Sequence, residues 1–480
     1  MIGCGIILLM CVSTSKLLNK FGVPILLIFI AFGMLFGSDG IVGIYFNNFE
    51  IAREICTVGL AFIMFYGGFS TNWNMAKPVA LHAILMSTVG VIITSVLTGL
   101  FCHFILRMST MEALLIGAIV SSTDAASVFT ILRTQKLNLK GGLASLLEVE
   151  SGSNDTFAYM LTLTILTIMA NNNEHSLGIV LICQIGFGLG IGFGLSKVAI
   201  IFLKKFELEI AGFYPIFITA IVLLAFSVSE ALGGNGYLSV YVAGLMLGNS
   251  RIPHKKSLVQ FFDGISWLMQ IMLFFVLGLL AFPSKLPGVM IIGLAIASFM
   301  LIIARPVATF VVLRPFKYSI REILFVSWVG LRGAASIAFA IFALTKGVPI
   351  QNDLYQIVLL VALVSVAIQG TLIPKVASKL DLVDNRESVL KTFNDYKEEK
   401  STELIEKTIN KGDWLDGKSI MDAKIPEEIL VVMIKRNDEV LVPKGSTVIL
   451  ANDTLVLSGN NIFKVLEESE KQLIMANKAI

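Results

Sequence analysis

Charge is scarce in this 480-residue sequence: Asp, Glu, Lys and Arg together make up 15% of it, where water-soluble chains carry about a quarter. Mean hydropathy is +0.83. That shortage excludes a soluble globular chain and points to a polytopic membrane protein. Cysteine is rarer still. Cys4, Cys11, Cys56, Cys102 and Cys183 lie in or beside apolar stretches without Cys-x-x-Cys spacing, so they read as small core hydrophobes, not as disulfides or metal ligands. The four histidines, His82, His103, His175 and His254, are scattered at loop edges. With no His-Glu-x-x-His pair and no Gly-x-Ser-x-Gly elbow, an intramembrane hydrolase lacks its machinery. A gated potassium channel is the other rival, and it lacks a Thr-Val-Gly-Tyr-Gly-like carbonyl filter.

What the sequence has in abundance is long apolar runs. A membrane-crossing helix needs about 20 such residues, and only helices or closed barrels satisfy their backbone in lipid. The runs do not alternate, which selects helices. Thirteen are discernible, from Ile2–Val12, short for a span, to Asp353–Val376. The fifth covers Met111–Leu132, the sixth Leu143–Met169, the eleventh Pro287–Val312 and the twelfth Ile320–Leu344. Alternate loops differ in basic residues. One set holds fourteen, from Lys16 to Arg321, and the other only Arg53, Arg107, Lys285 and Lys346. By the positive-inside rule the N-terminus is outside and the tail in the cytoplasm.

The tail differs in kind from the body. Residues 381–480 hold 14 Lys/Arg and 19 Asp/Glu, against 23 and 15 in the first 380. A net positive body and a net negative tail argue against a nucleic-acid partner. The expected domains are therefore 1–380 in the bilayer, 381–402 as a linker or solvated helix, and 403–480 as a small cytoplasmic α/β unit. In that unit, Ile429–Ile434, Thr447–Leu450 and Thr454–Leu457 have strand character, with a closing helix over Ile462–Met475.

Ionisable groups inside apolar runs are costly and mark ion pathways by default. Here they are Asp124, Glu148, Glu150, Asp155, Glu230, Asp263, Arg305 and Arg332. Glu230 and Asp263 lie near run ends and read as interfacial. The sixth run packs Glu148-Val149-Glu150-Ser151-Gly152-Ser153-Asn154-Asp155 into two helical turns. Glu150 with Asn154 and Ser151 with Asp155 are i, i+4 pairs that share a side of the helix. Such oxygen-rich surroundings suit a hard monovalent cation. Burial also raises a carboxylate's proton affinity, so one acid can hold either ion.

The fifth run interrupts itself at Ser121-Ser122-Thr123-Asp124-Ala125-Ala126-Ser127, and the twelfth at Gly330-Leu331-Arg332-Gly333-Ala334-Ala335-Ser336. Both compositions suit a helix broken in mid-membrane. Asp124 can then cap a positive half-helix N-terminus and Arg332 can answer a negative C-terminus. The two breaks lie seven runs apart, as two inverted repeats of six helices would place them. Arg305 is a buried cation whose most economical partner is Glu150 or Glu148.

At these residues the chain resembles the cation:proton antiporter-1 family, in particular its bacterial NhaP-type potassium/proton or sodium/proton antiporters. The matching stretches are Gly22-Val23-Pro24 through Gly33-Met34-Leu35, Ser122-Thr123-Asp124-Ala125-Ala126, Glu150-Ser151-Gly152-Ser153-Asn154-Asp155, Ala304-Arg305-Pro306 and Gly330-Leu331-Arg332-Gly333. The resemblance implies thirteen helices in inverted repeats, two broken crossing helices, and a homodimer in the bacterial inner membrane. It implies that Asp155 alternates between proton and cation, aided by Asn154, Ser151, Thr123 and Asp124. Glu150 and Arg305 would form a structural ion pair, with Arg332, Gly330 and Gly333 supporting the broken helix.

Asn154, where electrogenic relatives carry a second Asp, implies one proton per cation. Two departures stand out. Thr123-Asp124-Ala125 replaces the Thr-Asp-Pro of many relatives, and Tyr66-Gly67-Gly68 stands where several have an acid before Gly-Gly. The tail, at Gly417-Lys418-Ser419-Ile420 and Val442-Pro443-Lys444-Gly445-Ser446-Thr447, is similar to the TrkA-C half of regulator-of-potassium-conductance domains, which implies gating by a small ligand. The expected activity is exchange of a monovalent cation, K⁺ favoured and Na⁺ possible, for protons, with no cofactor beyond the transported ions.

Overall fold

The computed structural model describes residues 5–11, 13, 25–124, 127–128, 131–132, 137–170, 177–384, 403–423, 425–426, 429–436 and 439–459. They form two compact units, Met1–Asn394 and Asp395–Ile480.

The first unit is helical. Its helices are α1 (Ile25–Phe36), α2 (Phe49–Ser70), α3 (Trp73–Phe104), α4 (Thr110–Val120), α5 (Leu143–Met169), α6 (Leu177–Lys205) and α7 (Phe213–Ala231). They continue with α8 (Gly236–Gly248), α9 (Lys255–Leu279), α10 (Pro283–Phe316), α11 (Ile320–Trp328), α12 (Ala334–Thr345) and α13 (Leu354–Lys379). The first apolar run is helical at residues 5–11 and otherwise lies outside the described residues, as does Gly22-Val23-Pro24. Among the described residues, α3, α6, α7, α9, α10 and α13 are each long and apolar enough to cross a bilayer. α5, at 27 residues, has a length of about 40 Å, but it carries the three carboxylates.

Helix starts follow local chemistry. Asn48 caps α2 by accepting from Ile51 N, Ser109 caps α4 by accepting from Glu112 N, and Ser319 with Glu322 forms a capping box on α11. Glycine sets the close helix contacts. Gly244 of α8 sits on the Phe65 carbonyl of α2, and Gly117 of α4 on the Ser95 carbonyl of α3, with no room for a Cβ at either. Among the described residues, internal π turns interrupt α3 (Met86–Gly90), α10 (Met300–Ala304) and α13 (Ser365–Gly370). The last two of these turns lie at the candidate site, where such bulges recur.

Both expected breaks are present. α4 ends at Val120 and the backbone is non-helical at 122–124; α11 ends at Trp328 and is non-helical at 330–333. They meet through Asp124 N–H, which donates to Leu331 O at 2.8 Å. Residues 381–384 depart from the expected free linker. Lys140 N donates to Leu382 O and Asp384 N to Asn138 O, each at 2.9 Å, and Lys140 Nζ pairs with Asp381 Oδ1 at 3.0 Å. Pairing two loop backbones satisfies groups that a linker would leave to water. Residues 385–402 lie outside the described set.

The second unit holds an antiparallel sheet of β1 (Glu403–Thr408), β2 (Ile429–Arg436), β3 (Glu439–Leu441) and β4 (Thr454–Gly459), in the order β1-β4-β2-β3. Ile409, Leu415, Ile429, Val431, Ile434, Ile449, Leu455 and Leu457 form its core. Thr447–Leu450 is not a strand, contrary to expectation. Its backbone pairs with the irregular 417–420 segment through Gly417 N→Ile449 O, Ile449 N→Lys418 O and Ile420 N→Thr447 O, which occupies the groups a ladder would use. The expected helix over Ile462–Met475 lies outside the described residues.

Candidate functional site

The break in the fifth run faces the middle of α5. Ser122 Oγ donates to Asp155 Oδ1 at 2.5 Å. One residue on, Thr123 is held from three directions. Its Oγ1 lies 3.1 Å from Ser151 Oγ and accepts from Asn154 Nδ2, its carbonyl accepts from Ser151 Oγ at 2.8 Å, and its N–H donates to Asn154 Oδ1 at 3.4 Å. Ser122, Thr123, Ser151 and Asn154 are buried, whereas Asp155 is only half-buried. One half-buried carboxylate is therefore held by a hydroxyl directly beside a cluster of hydroxyl, amide and carbonyl oxygens from Thr123, Ser151 and Asn154. Such a set can ligate a hard cation in place of its hydration shell.

The second break supports the first. Arg332 Nη1 donates to Ser121 O at 2.9 Å and Ser122 O at 2.8 Å, the carbonyls left open where α4 ends. Arg332 N donates to Ser365 Oγ at 3.0 Å, and Ser365 Oγ donates to Gln369 Oε1 at 2.5 Å, both within the π turn of α13. Asp124 turns its carboxylate to Ser127, accepting from the backbone N–H at 3.2 Å and the hydroxyl at 2.5 Å. A Cβ at Gly333 would collide with that carboxylate, and one at Gly330 would lie 2.7 Å from Arg305 Nε. Both glycines are thus places where the backbone must pass a charged side chain closely.

Glu150, not Glu148, takes Arg305. Arg305 Nη2 donates to Glu150 Oε1, with the side chains 3% and 1% exposed. The π turn at Met300–Ala304 immediately precedes Arg305. Asp263 Oδ1 accepts from Tyr66 Oη at 2.8 Å, so the tyrosine of Tyr66-Gly67-Gly68 partners an acid from α9. Glu230 Oε1 accepts from Gly236 N at 2.9 Å across the α7–α8 turn.

The structure thus gathers Asp155, Asn154, Ser151 and Thr123, sets Asp124, Arg332 and Gly333 at the crossing, and places Glu150, Arg305 and Gly330 beside it. Several residues were not anticipated. Ser122 was legible in the same polar string, and Ser365 and Gln369 are an i, i+4 polar pair in an apolar run. Glu112 sits three residues after the cap Ser109; it is 1% exposed, and its Oε1 accepts from Asn352 N at 2.8 Å. Among the described residues, no group of three His, Cys, Asp or Glu side chains is arranged to hold a metal ion.

Residues 6–379 match the transmembrane sodium/hydrogen exchanger family, and residues 404–461 match the TrkA-C domain. The chain belongs to the sodium/hydrogen exchanger family. Among its relatives, a K(+)/H(+) antiporter NhaP from Alkalimonas amylolytica is 37% identical over 80% of this chain and 67% of its own. A K(+)/H(+) antiporter NhaP2 from Shewanella baltica is 36% identical over 93% of this chain and 78% of its own. A Na(+)/H(+) antiporter, ApNhaP from Aphanothece halophytica, is 27% identical over 78% of this chain and 72% of its own. The solved structure of the sodium proton antiporter MjNhaP1 from Methanocaldococcus jannaschii at pH 8 superposes with a TM-score of 0.69. It covers 78% of this chain and 97% of its own at 24% identity. The family membership and this shared fold agree with the helical architecture expected from the apolar runs, and these relatives are transporters, not enzymes.

Proposed function

We propose that this protein is a secondary antiporter exchanging a monovalent cation for protons, with the two ions taking turns on Asp155. The observation that carries the reading is the half-buried Asp155 carboxylate, set against Ser122 and beside a Thr123–Ser151–Asn154 cluster where two broken helices cross. A carboxylate holding either H⁺ or a cation carries the same net charge in both loaded states, and Asn154 adds none. One-for-one, electroneutral exchange follows, and the two fluxes are coupled without ATP.

K⁺ is the favoured cation, supported by the greater similarity to relatives named K(+)/H(+) antiporters than to the one named Na(+)/H(+) antiporter. Asn154, Ser151 and Thr123 ligate with Asp155, and Asp124 shapes the break beside them. Glu150–Arg305 is structural, and Arg332, Gly330 and Gly333 support the crossing. Access alternates by rigid motion of a core built on the two broken segments, α5 and their neighbours, against the body in which α8 packs on α2 and α6. The expected bounds 1–380, 381–402 and 403–480 are kept as the division into body, connecting stretch and tail, except that 381–384 pair with the 138–140 loop, and the TrkA-C tail acts as a regulatory module. The protein sits in a bacterial inner membrane with its N-terminus outside and its tail in the cytoplasm. Among the described residues, nothing lies within 4 Å of a Cβ built at Gly186, Gly190 or Gly194 of α6, an open face that supports close helix contact in a homodimer.

Competition is the test. In proteoliposomes, the apparent KM for K⁺ should rise as pH falls, in proportion to proton concentration in the acid range, while Vmax holds. A KM independent of pH would remove the shared-site reading.

A further inference from the structure

The N-terminal turn of α8 meets α5 beside the candidate site, and the exchange cycle described above leaves it unused. Asn235, 1% exposed, fixes this turn through its backbone N–H and both ends of its side-chain amide. Its backbone N–H donates to Gln184 O of α6 at 3.0 Å. Its Oδ1 accepts from Leu238 N at 3.0 Å and so caps α8. Its Nδ2 donates to Thr156 O of α5, also at 3.0 Å. Thr156 directly follows Asp155.

The turn that presents Asn235 is built to hold its shape. Gly233 takes φ +76°, a conformation that favours glycine. Gly234 lies so close to Phe187, Ser229 and the Gly188 backbone that no Cβ fits, and Glu230 pins Gly236 N. One helical turn beyond Asp155, Tyr159 packs edge-on against Tyr237 of α8 with ring centres 4.8 Å apart, and lies 5.5 Å from Phe339 of α12. All three rings are buried. They pack together on the α5 C-terminal side of Asp155, which the distribution of basic loop residues makes the outer side.

We propose that Asn235 is a positioning residue for the exchange, a latch that fastens α8 to α5 and keeps the Tyr159–Tyr237–Phe339 plug shut over the outer approach to Asp155. The inference rests on the antiport reading. In that cycle α5 moves with one body and α8 with the other, so the Asn235–Thr156 bond crosses the sliding interface and breaks when the outer side opens. A contact made in only one of two states biases the equilibrium by its own worth and no more. Losing it shifts the population toward the outward-open state without removing any group that touches the ion.

The variant Asn235→Ser keeps a good helix cap but is too short to reach Thr156 O. The measurement is the apparent KM for K⁺ at the outer and inner faces, taken in right-side-out and everted vesicles, together with the melting temperature of the purified full-length protein. The ratio of outer to inner KM should fall by roughly threefold to fivefold, the shift that one buried neutral hydrogen bond corresponds to, with melting close to wild type. An unchanged ratio, with both KM values equal to wild type or moved in proportion, overturns the latch. Asn235→Asp keeps the capping acceptor and sets a carboxylate against the Thr156 carbonyl. It should move the ratio further in the same sense, and it carries the test if the serine variant does not insert. Wild-type vesicles without K⁺-driven proton movement would remove the antiport reading and the latch together. Wild-type exchange with an unmoved ratio in the variants would remove the latch alone.

Discussion

Arg332 and Ser122 lie in different broken segments, 210 residues apart, and the arginine donates to the serine carbonyl at 2.8 Å while the serine hydroxyl donates to Asp155 at 2.5 Å. The second break is thereby tied to the Asp155 carboxylate through a single residue of the first.

That chain of contacts makes Arg332 more than a charge. Its Nη1 serves Ser121 O and Ser122 O together, which a lysine ammonium on a flexible stem does not reproduce with the same geometry. Arg332→Lys should fold and insert yet lose about tenfold or more in exchange rate, the range expected when hydrogen bonds from a charged group are misplaced. Vesicle exchange assays at matched protein content measure it.

The Glu150–Arg305 pair predicts a stability effect instead. Removing one partner leaves an uncompensated buried charge, at a cost of about 3–5 kcal/mol. Glu150→Ala or Arg305→Ala should lower the melting temperature of the purified protein sharply. Replacing both by apolar residues of similar volume, as in Glu150→Leu with Arg305→Met, should recover much of the loss. A double variant as unstable as the sum of the singles would show that the pair does more than neutralise itself.

Glycines on the two surfaces should behave in opposite ways. Gly333→Ala would push a Cβ into the Asp124 carboxylate at the crossing, whereas Gly288→Ala meets open space on α10. Exchange should be lost or severely reduced in the first and kept in the second, with yield and gel-filtration profile reporting folding.

In the tail, the Arg436 guanidinium beside Asp453 holds its carboxyl below the usual carboxylate range. Two hydrogen bonds of 2.7 Å join them, and Asp453 Oδ2 also accepts from Leu450 N at 2.8 Å. A folded-state value below the unfolded one, about 3.9, means that the pair's contribution is present above that pH and lost as pH falls through the folded value. Hydrogen exchange across 429–459 in the full-length protein should be slower in wild type than in Asp453→Asn at pH 7. The gap should close below about pH 4. A gap that stays constant to pH 3 would contradict the assignment.

Much of this arrangement was legible because membrane burial punishes error. A carboxylate or guanidinium in an apolar run has to be partnered, so Asp155, Glu150, Arg305 and Arg332 announced themselves by position alone, and the Gly and Ser-rich strings marked both helix breaks. The sequence left Arg305 with two candidate acids, Glu150 and Glu148, because the choice depends on how α10 rotates against α5 through its π turn. Asn235 and Glu112 gave no such signal, since Asn at a helix cap and Glu in a first turn are ordinary local chemistry, and only packing shows what else they touch. The tail is less legible. Its strands are short, β1 begins in a Glu- and Lys-rich stretch, and Thr447–Leu450 has strand composition but spends its backbone groups on a neighbouring turn.

The central claim is that a proton and a metal cation alternate on one side chain, and Asp155→Asn tests it most directly. Asparagine keeps the shape and can still accept from Ser122, so the protein should insert and melt near wild type. Fluorescence dequenching in everted vesicles should show proton movement on adding K⁺ with the wild-type protein and none with the variant. K⁺-dependent proton flux that survives in a folded Asp155→Asn protein would contradict the account.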